Sequence, residues 1–223
     1  MRIFLLRHGL TDYNAEMKLQ GSSDIPLNDK GRKQAAETHI LLKDKKLLPT
    51  IIISSPLGRA IETGCIVAGI DLSGYSDREI SLTNKPPQVI IDNNLIEMSF
   101  GIYEHRIMSK ENPKFLEDCF GHPESYIPPE GGESFDDVLI RAGKSIESLR
   151  NRIVNGEFKE NDIVMVVTHG AIGHGILEYI KKTPRELYWK VEFNNCSVIE
   201  LFLSKDGNHD DYKYISLGYE KNW

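Results

Sequence analysis

Two apolar runs in this chain end alike. Ile3-Phe4-Leu5-Leu6 leads straight into Arg7-His8-Gly9, and Ile163-Val164-Met165-Val166-Val167 leads into Thr168-His169-Gly170. A short, wholly apolar run with no polar alternation predicts a strand covered on both faces, as in a parallel sheet. Ile51-Ile52-Ile53, ahead of Ser54-Ser55-Pro56-Leu57-Gly58-Arg59-Ala60, predicts another such strand. Val89-Ile90-Ile91, ahead of Leu95-Ile96-Glu97, predicts a fourth.

Helical spacing fills the gaps between these runs. Asn28 is placed as an N-cap for a helix from about Asp29 to Lys46, closed by Pro49, with Ala36, Ile40 and Leu47 expected on its core face. A second helix is expected over Gly58 to Ala68, with Ile61, Cys65 and Ala68 inward. Ser134 with Asp137 reads as a capping box. Behind it, Phe135, Val138, Ala142, Ile146, Leu149 and Ile153 step by three and four along a packing helix. After His169, Ile172, Ile176 and Ile180 share one face, while Gly170, Gly173 and Gly175 permit close approach to sheet or ligand. Val198 to Leu203 and Tyr212 to Leu217 read as edge strands about a turn at Asp206-Gly207-Asn208.

Strands alternating with helices define an α/β fold. The expectation is a three-layer sandwich, a mostly parallel central sheet with helices on both faces, in one domain spanning residues 1–223. Two stretches break the pattern. Tyr13 to Ile25 reads as a loop, and Asp71 to Gln88 as a surface loop or short hairpin without chemistry. The segment 102–132 mixes aromatics (Tyr103, Phe115, Phe120, Tyr126), bases (His105, Arg106, Lys110, Lys114) and prolines. It suits a small lid insertion over a site, and equally a helical insert with no direct role.

Composition narrows the partners. With 27 basic and 33 acidic residues the formal charge is −6, which repels polyphosphate backbones and argues against nucleic-acid binding. No apolar run approaches a membrane span, and Arg2 with its brief apolar stretch is too short for a signal peptide. Cys65, Cys119 and Cys196 are scattered, which suits apolar filling in a reducing compartment and gives no disulfide or zinc spacing. A soluble, cytoplasmic protein without metal or cofactor is the expectation. Oligomeric state is left open, although the edge strands could pair into a dimer.

The chemistry follows from topology. Ligands of open parallel sheets bind beyond the carboxyl ends of the strands. Arg7, His8, Arg59, Glu97 and His169 all fall there, and two arginines, two histidines and a carboxylate together make a phosphate site. Arginine forks bind phosphate oxygens bidentately. A neutral imidazole can attack phosphorus. His8 is the candidate nucleophile, with its other nitrogen expected on a backbone carbonyl. His169, opening a helix, completes the pocket. Asn14 adds an amide donor. Glu97, expected to be buried beside Ile96, Met98 and Phe100, is the candidate proton donor, preferred to nearby Glu104. His39, His122, His174 and His209 read as solvated or packed.

These residues carry a resemblance. The chain is similar to the histidine phosphatase superfamily, which also contains the cofactor-dependent phosphoglycerate mutases. The matching pieces are Arg7-His8-Gly9 with Thr11 and Asn14, Gln20-Gly21 with Asp24 and Pro26-Leu27, and Gly31 with Gln34-Ala35. They continue through Ser54-Ser55-Pro56-Leu57 with Arg59-Ala60 and Thr63, Glu97 with Phe100-Gly101 and Glu104, Gly132-Glu133-Ser134, and Thr168-His169-Gly170. They fall in family order from residue 1 to about 200. The resemblance implies that His8 is the residue phosphorylated and that Glu133 helps order the site. It implies catalytic roles for Arg7, His8, Arg59, Glu97 and His169. Substrate contacts would come from Arg7, Asn14, Gln20, Gly21, Arg59 and Gly170. Leu10 and His105 depart from the pattern and are placed to touch the substrate.

Three functions compete at this point. The first is a phosphomonoester hydrolase acting on a small phosphorylated metabolite through a phosphohistidine, favoured by the Phe-Gly-x-Tyr-Glu run after Glu97. The second is a phosphoglycerate mutase using the same residues. The third is a non-catalytic module holding a phosphorylated ligand, for which a proton donor would be superfluous. A P-loop enzyme is excluded for want of Gly-x-x-x-x-Gly-Lys. Sugar phosphates, phosphoglycerates, α-ribazole phosphate and phosphoproteins are the substrates that the resemblance brings.

Overall fold

The computed structural model describes residues 1–71, 87–108 and 113–219. The four apolar runs form parallel strands: β1 (Arg2–Arg7), β2 (Ile51–Ser54), β3 (Gln88–Ile91) and β4 (Ile163–Thr168). With β5 (Val198–Phe202) and β6 (Asp211–Ser216) they make one six-stranded sheet in the order β3-β2-β4-β1-β5-β6. β5 runs antiparallel to β1, and β6 antiparallel to β5. β5 is therefore an interior strand, against expectation, and of the C-terminal pair only β6 lies at an edge. The expectation failed because the apolar pattern of β5 reports burial and not which strand lies beside it.

Alternate residues of each strand enter separate cores. Ile3, Leu5, Ile53, Val166 and Ile199 face one layer, and Phe4, Leu6, Ile52, Met165 and Val198 the other. The first layer is built by helices α3 (Phe135–Val154) and α4 (Gly170–Lys181), whose Phe135, Val138, Ala142, Ile146, Leu149, Ile172, Ile176 and Ile180 are all buried there. The second layer is built by α1 (Asp29–Asp44) and α2 (Gly58–Ala68). Burial on both faces explains why these strands carry no polar alternation. The three-layer sandwich expected from the sequence is the fold observed.

Helix α1 corrects a detail. Asn28 caps it as expected, its side chain accepting the Gly31 N–H at 2.8 Å. The buried face, however, is Gly31, Gln34, Ala35, Thr38 and Leu42, while Ala36 and Ile40 are exposed. The helix also stops at Asp44, before Pro49. Gln34 and Thr38 are buried polar groups with partners: Gln34 accepts from the Leu10 N–H, and the Thr38 hydroxyl donates to the Gln34 carbonyl. An apolar count passed over that face. The Ser134–Asp137 capping box is present with both reciprocal bonds, and all three cysteines are buried thiols outside any disulfide.

The loop expected at Tyr13 to Ile25 begins with one helical turn, Asp12–Ala15, capped by Thr11. Most of the loop expected at Asp71 to Gln88 lies outside the described residues, as does Lys110. The insertion around 102–132 packs through aromatics onto the α3/α4 layer. Phe115 meets Tyr103 at 4.2 Å and Phe100 at 6.2 Å between ring centroids, and Tyr126 meets Phe135 at 5.1 Å. Its Met108 and Phe120 line the same cavity as Arg7 and His8.

Candidate active site

Hydrogen bonding between β1 and β4 fixes the centre. Arg7 is in register with Thr168, and the His8 N–H donates to the Thr168 carbonyl at 3.0 Å. His8 and His169, 161 positions apart in sequence, are thereby set with ring centroids 5.1 Å apart. Arg7, His8, Asn14, Gln20, Gly21, Arg59, Glu97 and Gly170 all line one cavity of about 500 Å³ at the carboxyl ends of the parallel strands.

The loop after β1 owes its path to a close backbone crossing. A Cβ on Gly9 would lie 2.6 Å from the Gly31 carbonyl oxygen, and one on Gly31 2.1 Å from that of Leu10. Glycine at both positions lets this loop cross the start of α1. His8 Nδ1 lies 2.6 Å from the Gly9 carbonyl oxygen. A carbonyl only accepts, so Nδ1 carries the proton and Nε2 keeps its lone pair. Burial, then the positive charges of Arg59 and Arg7, push the His8 pKa well below its ordinary value. The imidazole is held neutral, and Nε2 has no hydrogen-bond partner among the described residues.

His169 differs. Its Nδ1 accepts from Arg59 Nε at 3.2 Å, so Nε2 bears the proton and donates to Ser55 Oγ at 2.7 Å. Burial and the charge of Arg59 push its pKa well below normal too. Both nitrogens are engaged, the residue is fully buried, and it stands behind His8 and Arg59 instead of on the cavity surface. The pocket is thus not completed by His169 itself. Its Nε2 is taken by Ser55, the residue that follows β2.

The two arginines also divide. Arg59 uses three N–H groups on protein: Nε to His169, Nη1 to the Ser23 carbonyl at 2.7 Å and Nη2 to the Gly21 carbonyl at 3.0 Å. Burial lowers its pKa to about 10. Arg7 donates from Nη1 to the Phe193 carbonyl at 2.6 Å, and its buried Nε has no hydrogen-bond partner among the described residues. A buried guanidinium with unused donors is costly unless an anion meets it. Arg7 is the more open of the two forks.

Glu97 reaches the same place by a different route from the one expected. Its oxygens meet backbone donors and not an apolar pocket: Oε1 accepts from Met98 and Ile172, and Oε2 from Ala171, at 2.9 to 3.1 Å. Two of these donors are first-turn N–H groups of α4, which have no partner within the helix. Arg7 and Glu97 Oε2 both approach Gly170 closely enough that an added Cβ would lie 3.4 Å from each. Glu104, the rival carboxylate, is absent from the cavity lining. It ties two loops together, accepting from Ser22 N and Phe100 N through Oε1 and from Ser23 Oγ through Oε2.

The remaining residues hold or miss the pocket. Thr11 Oγ1 sits 3.1 Å from Asn14 Oδ1 and 2.9 Å from Gln20 Oε1, which leaves the NH2 groups of both amides for the cavity. Gly21 has φ +54°, and a side chain there would collide with Glu104. His105 lies outside the cavity lining, with Nδ1 on the Tyr13 hydroxyl at 3.0 Å and Nε2 on Ser23 Oγ at 3.1 Å. It is exposed and does not line the cavity, unlike the expectation of a substrate contact, and both ring nitrogens meet protein hydroxyls.

Three supports were not legible. Arg141 on α3 grips Glu133 through Nε and Nη2 and donates from Nη1 to the Asn94 and Ile96 carbonyls, fixing the loop that carries Glu97. Glu133 in turn accepts the Ser99 N–H, which is the ordering role the resemblance implied for it. Asn195 donates from Nδ2 to the His8 carbonyl at 2.9 Å. Phe193 holds Arg7, as above. Asn195 and Phe193 precede β5, and the adjacency of β5 to β1 is what the sequence pattern lacked.

Comparison with known proteins agrees with this geometry. A model of the histidine phosphatase superfamily (branch 1) matches residues 3–211, and the chain belongs to that family. It is 29% identical over 205 residues to the "probable phosphoglycerate mutase GpmB" of Escherichia coli, covering 89% of this chain and 83% of that protein. Among solved structures it is similar to Bacillus stearothermophilus YhfR, with a TM-score of 0.73, 27% identity and coverage of 99% and 98% of the two chains. It shares its fold with phosphoserine phosphatase from Entamoeba histolytica, with a TM-score of 0.73, 22% identity and 97% of each chain covered.

Proposed function

We propose that the chain is a phosphomonoester hydrolase that acts on a small phosphorylated metabolite through a phosphohistidine on His8. The observation that carries this reading is the neutral His8 imidazole, anchored through Nδ1 on the Gly9 carbonyl, with Nε2 unbonded beside the open fork of Arg7. Nε2 attacks phosphorus, the N–P bond forms and the bond to the leaving oxygen breaks. Arg7 and the remaining N–H groups of Arg59 take the charge on the equatorial oxygens, with Asn14 and Gln20 donating beside them. Glu97 gives the leaving oxygen its proton. Oε2 accepts one N–H where Oε1 accepts two, so it is the oxygen with room for that proton. Water then attacks the phosphohistidine, Glu97 takes the proton back, and inorganic phosphate leaves.

His169 acts in this scheme as a positioning residue, holding Arg59 Nε. The name of the Escherichia coli relative, a probable phosphoglycerate mutase, offers the alternative that the phosphoryl group returns to product. The two are separated by supplying 3-phosphoglycerate and following both inorganic phosphate and 2-phosphoglycerate. The hydrolase reading expects phosphate release from a range of esters, abolished in His8→Ala. Accumulation of 2-phosphoglycerate without phosphate release would replace it with the mutase reading, and binding of phosphate esters without turnover would replace it with that of a binding module.

A further inference from the structure

The cavity is larger and more apolar than its phosphate end needs. At about 500 Å³ it falls within the ~300–1,000 Å³ range of sites that enclose drug-sized ligands. Arg7, His8 and Arg59 occupy the inner end. Beyond them the lining mixes polar Asn14, Lys18, Gln20 and Asn194 with an apolar wall in which Phe120 and Trp189 pack together, joined by Val191 and Phe193.

That wall is fixed in place. Trp189 donates its indole N–H to the Cys119 carbonyl at 2.8 Å, and its ring packs against Phe120 at 5.0 Å and His174 at 4.9 Å between centroids. With the N–H taken by the Cys119 carbonyl, the cavity meets an indole without a free donor. Phe193 is wedged on Gly173, where an added Cβ would lie 2.1 Å from its ring. A hydroxyl or carboxylate turned toward such a wall gives up water and gains no partner. Each lysine of the lining has a carboxylate two residues away in the sequence. Lys18 is paired with Glu16 at 2.6 Å, and Lys190 lies at the exposed mouth with Glu192 two residues on.

Building on the hydrolase reading above, we propose that the preferred substrates are phosphomonoesters whose alcohol carries a ring-sized apolar group, seated against Trp189 and Phe193, and not three-carbon acids or polyols. Two primary alkyl esters isolate this preference, because both need the same protonation of the leaving oxygen: 2-phenylethyl phosphate and glycerol 3-phosphate. Full burial of a ring predicts a kcat/KM ratio of about tenfold or more in favour of the phenylethyl ester. Trp189→Ala brings that ratio toward one, and Trp189→Phe, which keeps an aromatic ring, retains most of it.

A wild-type ratio near one, or reversed, overturns the proposal while leaving the hydrolase reading intact. So does a ratio that Trp189→Ala leaves unchanged. Failure to release phosphate from either ester overturns the hydrolase reading, and this proposal with it.

Discussion

His8 and His169 each follow the last residue of a strand, yet a single partner separates them. The Gly9 carbonyl fixes the His8 proton on Nδ1, whereas Arg59 Nε fixes the His169 proton on Nε2. Glu97 has its own constraint, since three backbone N–H groups point at its two oxygens. In Glu97→Gln an amide NH2 must face at least one of those donors, at a cost of about 1–3 kcal/mol. That variant is therefore expected to lose stability in urea as well as activity. Its activity loss should be about 10²-fold or more on alkyl phosphates and far smaller on p-nitrophenyl phosphate, whose leaving group departs without a proton. Equal losses on both esters would remove Glu97 from proton transfer and leave it as an anchor of the α4 terminus.

At the scale of elements, the site depends on one loop crossing one helix. Gly9 and Gly31 are in backbone contact, and Gln34 on the same helix accepts the Leu10 N–H. Gly31→Ala puts a methyl carbon against the Leu10 backbone, which cannot give way without moving His8. We expect a loss of several kcal/mol in stability, read from the urea midpoint, together with a fall in kcat. A variant of wild-type stability would show that the crossing is not needed. Sequence alone gave Arg7, His8, Arg59, Glu97 and His169 their common location, because strand ends on one sheet edge must converge. Long-range pairings were hidden from it. The register of β5 beside β1 decides that Asn195 and Phe193 support Arg7 and His8, and no local pattern reports register. Likewise Arg141 looks like any exposed cation on an amphipathic helix until Glu133 and the Asn94 and Ile96 carbonyls are seen around it.

For the whole molecule, a chain of formal charge −6 folds a cationic cup into its interior and keeps two imidazoles there uncharged. This has a consequence for stability. His8 and His169 are held well below their ordinary pKa by burial and then by the arginines. Unfolded, they take up protons near pH 6.5, so below that pH the unfolded chain binds more protons than the folded one. Stability is then complete above about pH 6.5 and falls with acidification, by up to about 1.4 kcal/mol per pH unit for each histidine. Urea midpoints at pH 7.5 and 5.5 should show this loss, and His8→Gln should reduce it. A midpoint unchanged between the two values would mean that these imidazoles are not held neutral.

On the proposed mechanism the Nε2 of His8 accepts the phosphoryl group. Mixing the enzyme with 2-phenylethyl phosphate, quenching in alkali within one turnover and mapping peptides by mass spectrometry tests it directly. The expected result is an acid-labile, alkali-stable phosphoryl group on the peptide containing His8, and none in His8→Ala. Turnover with no such peptide, or with the phosphoryl group on His169, would contradict the account.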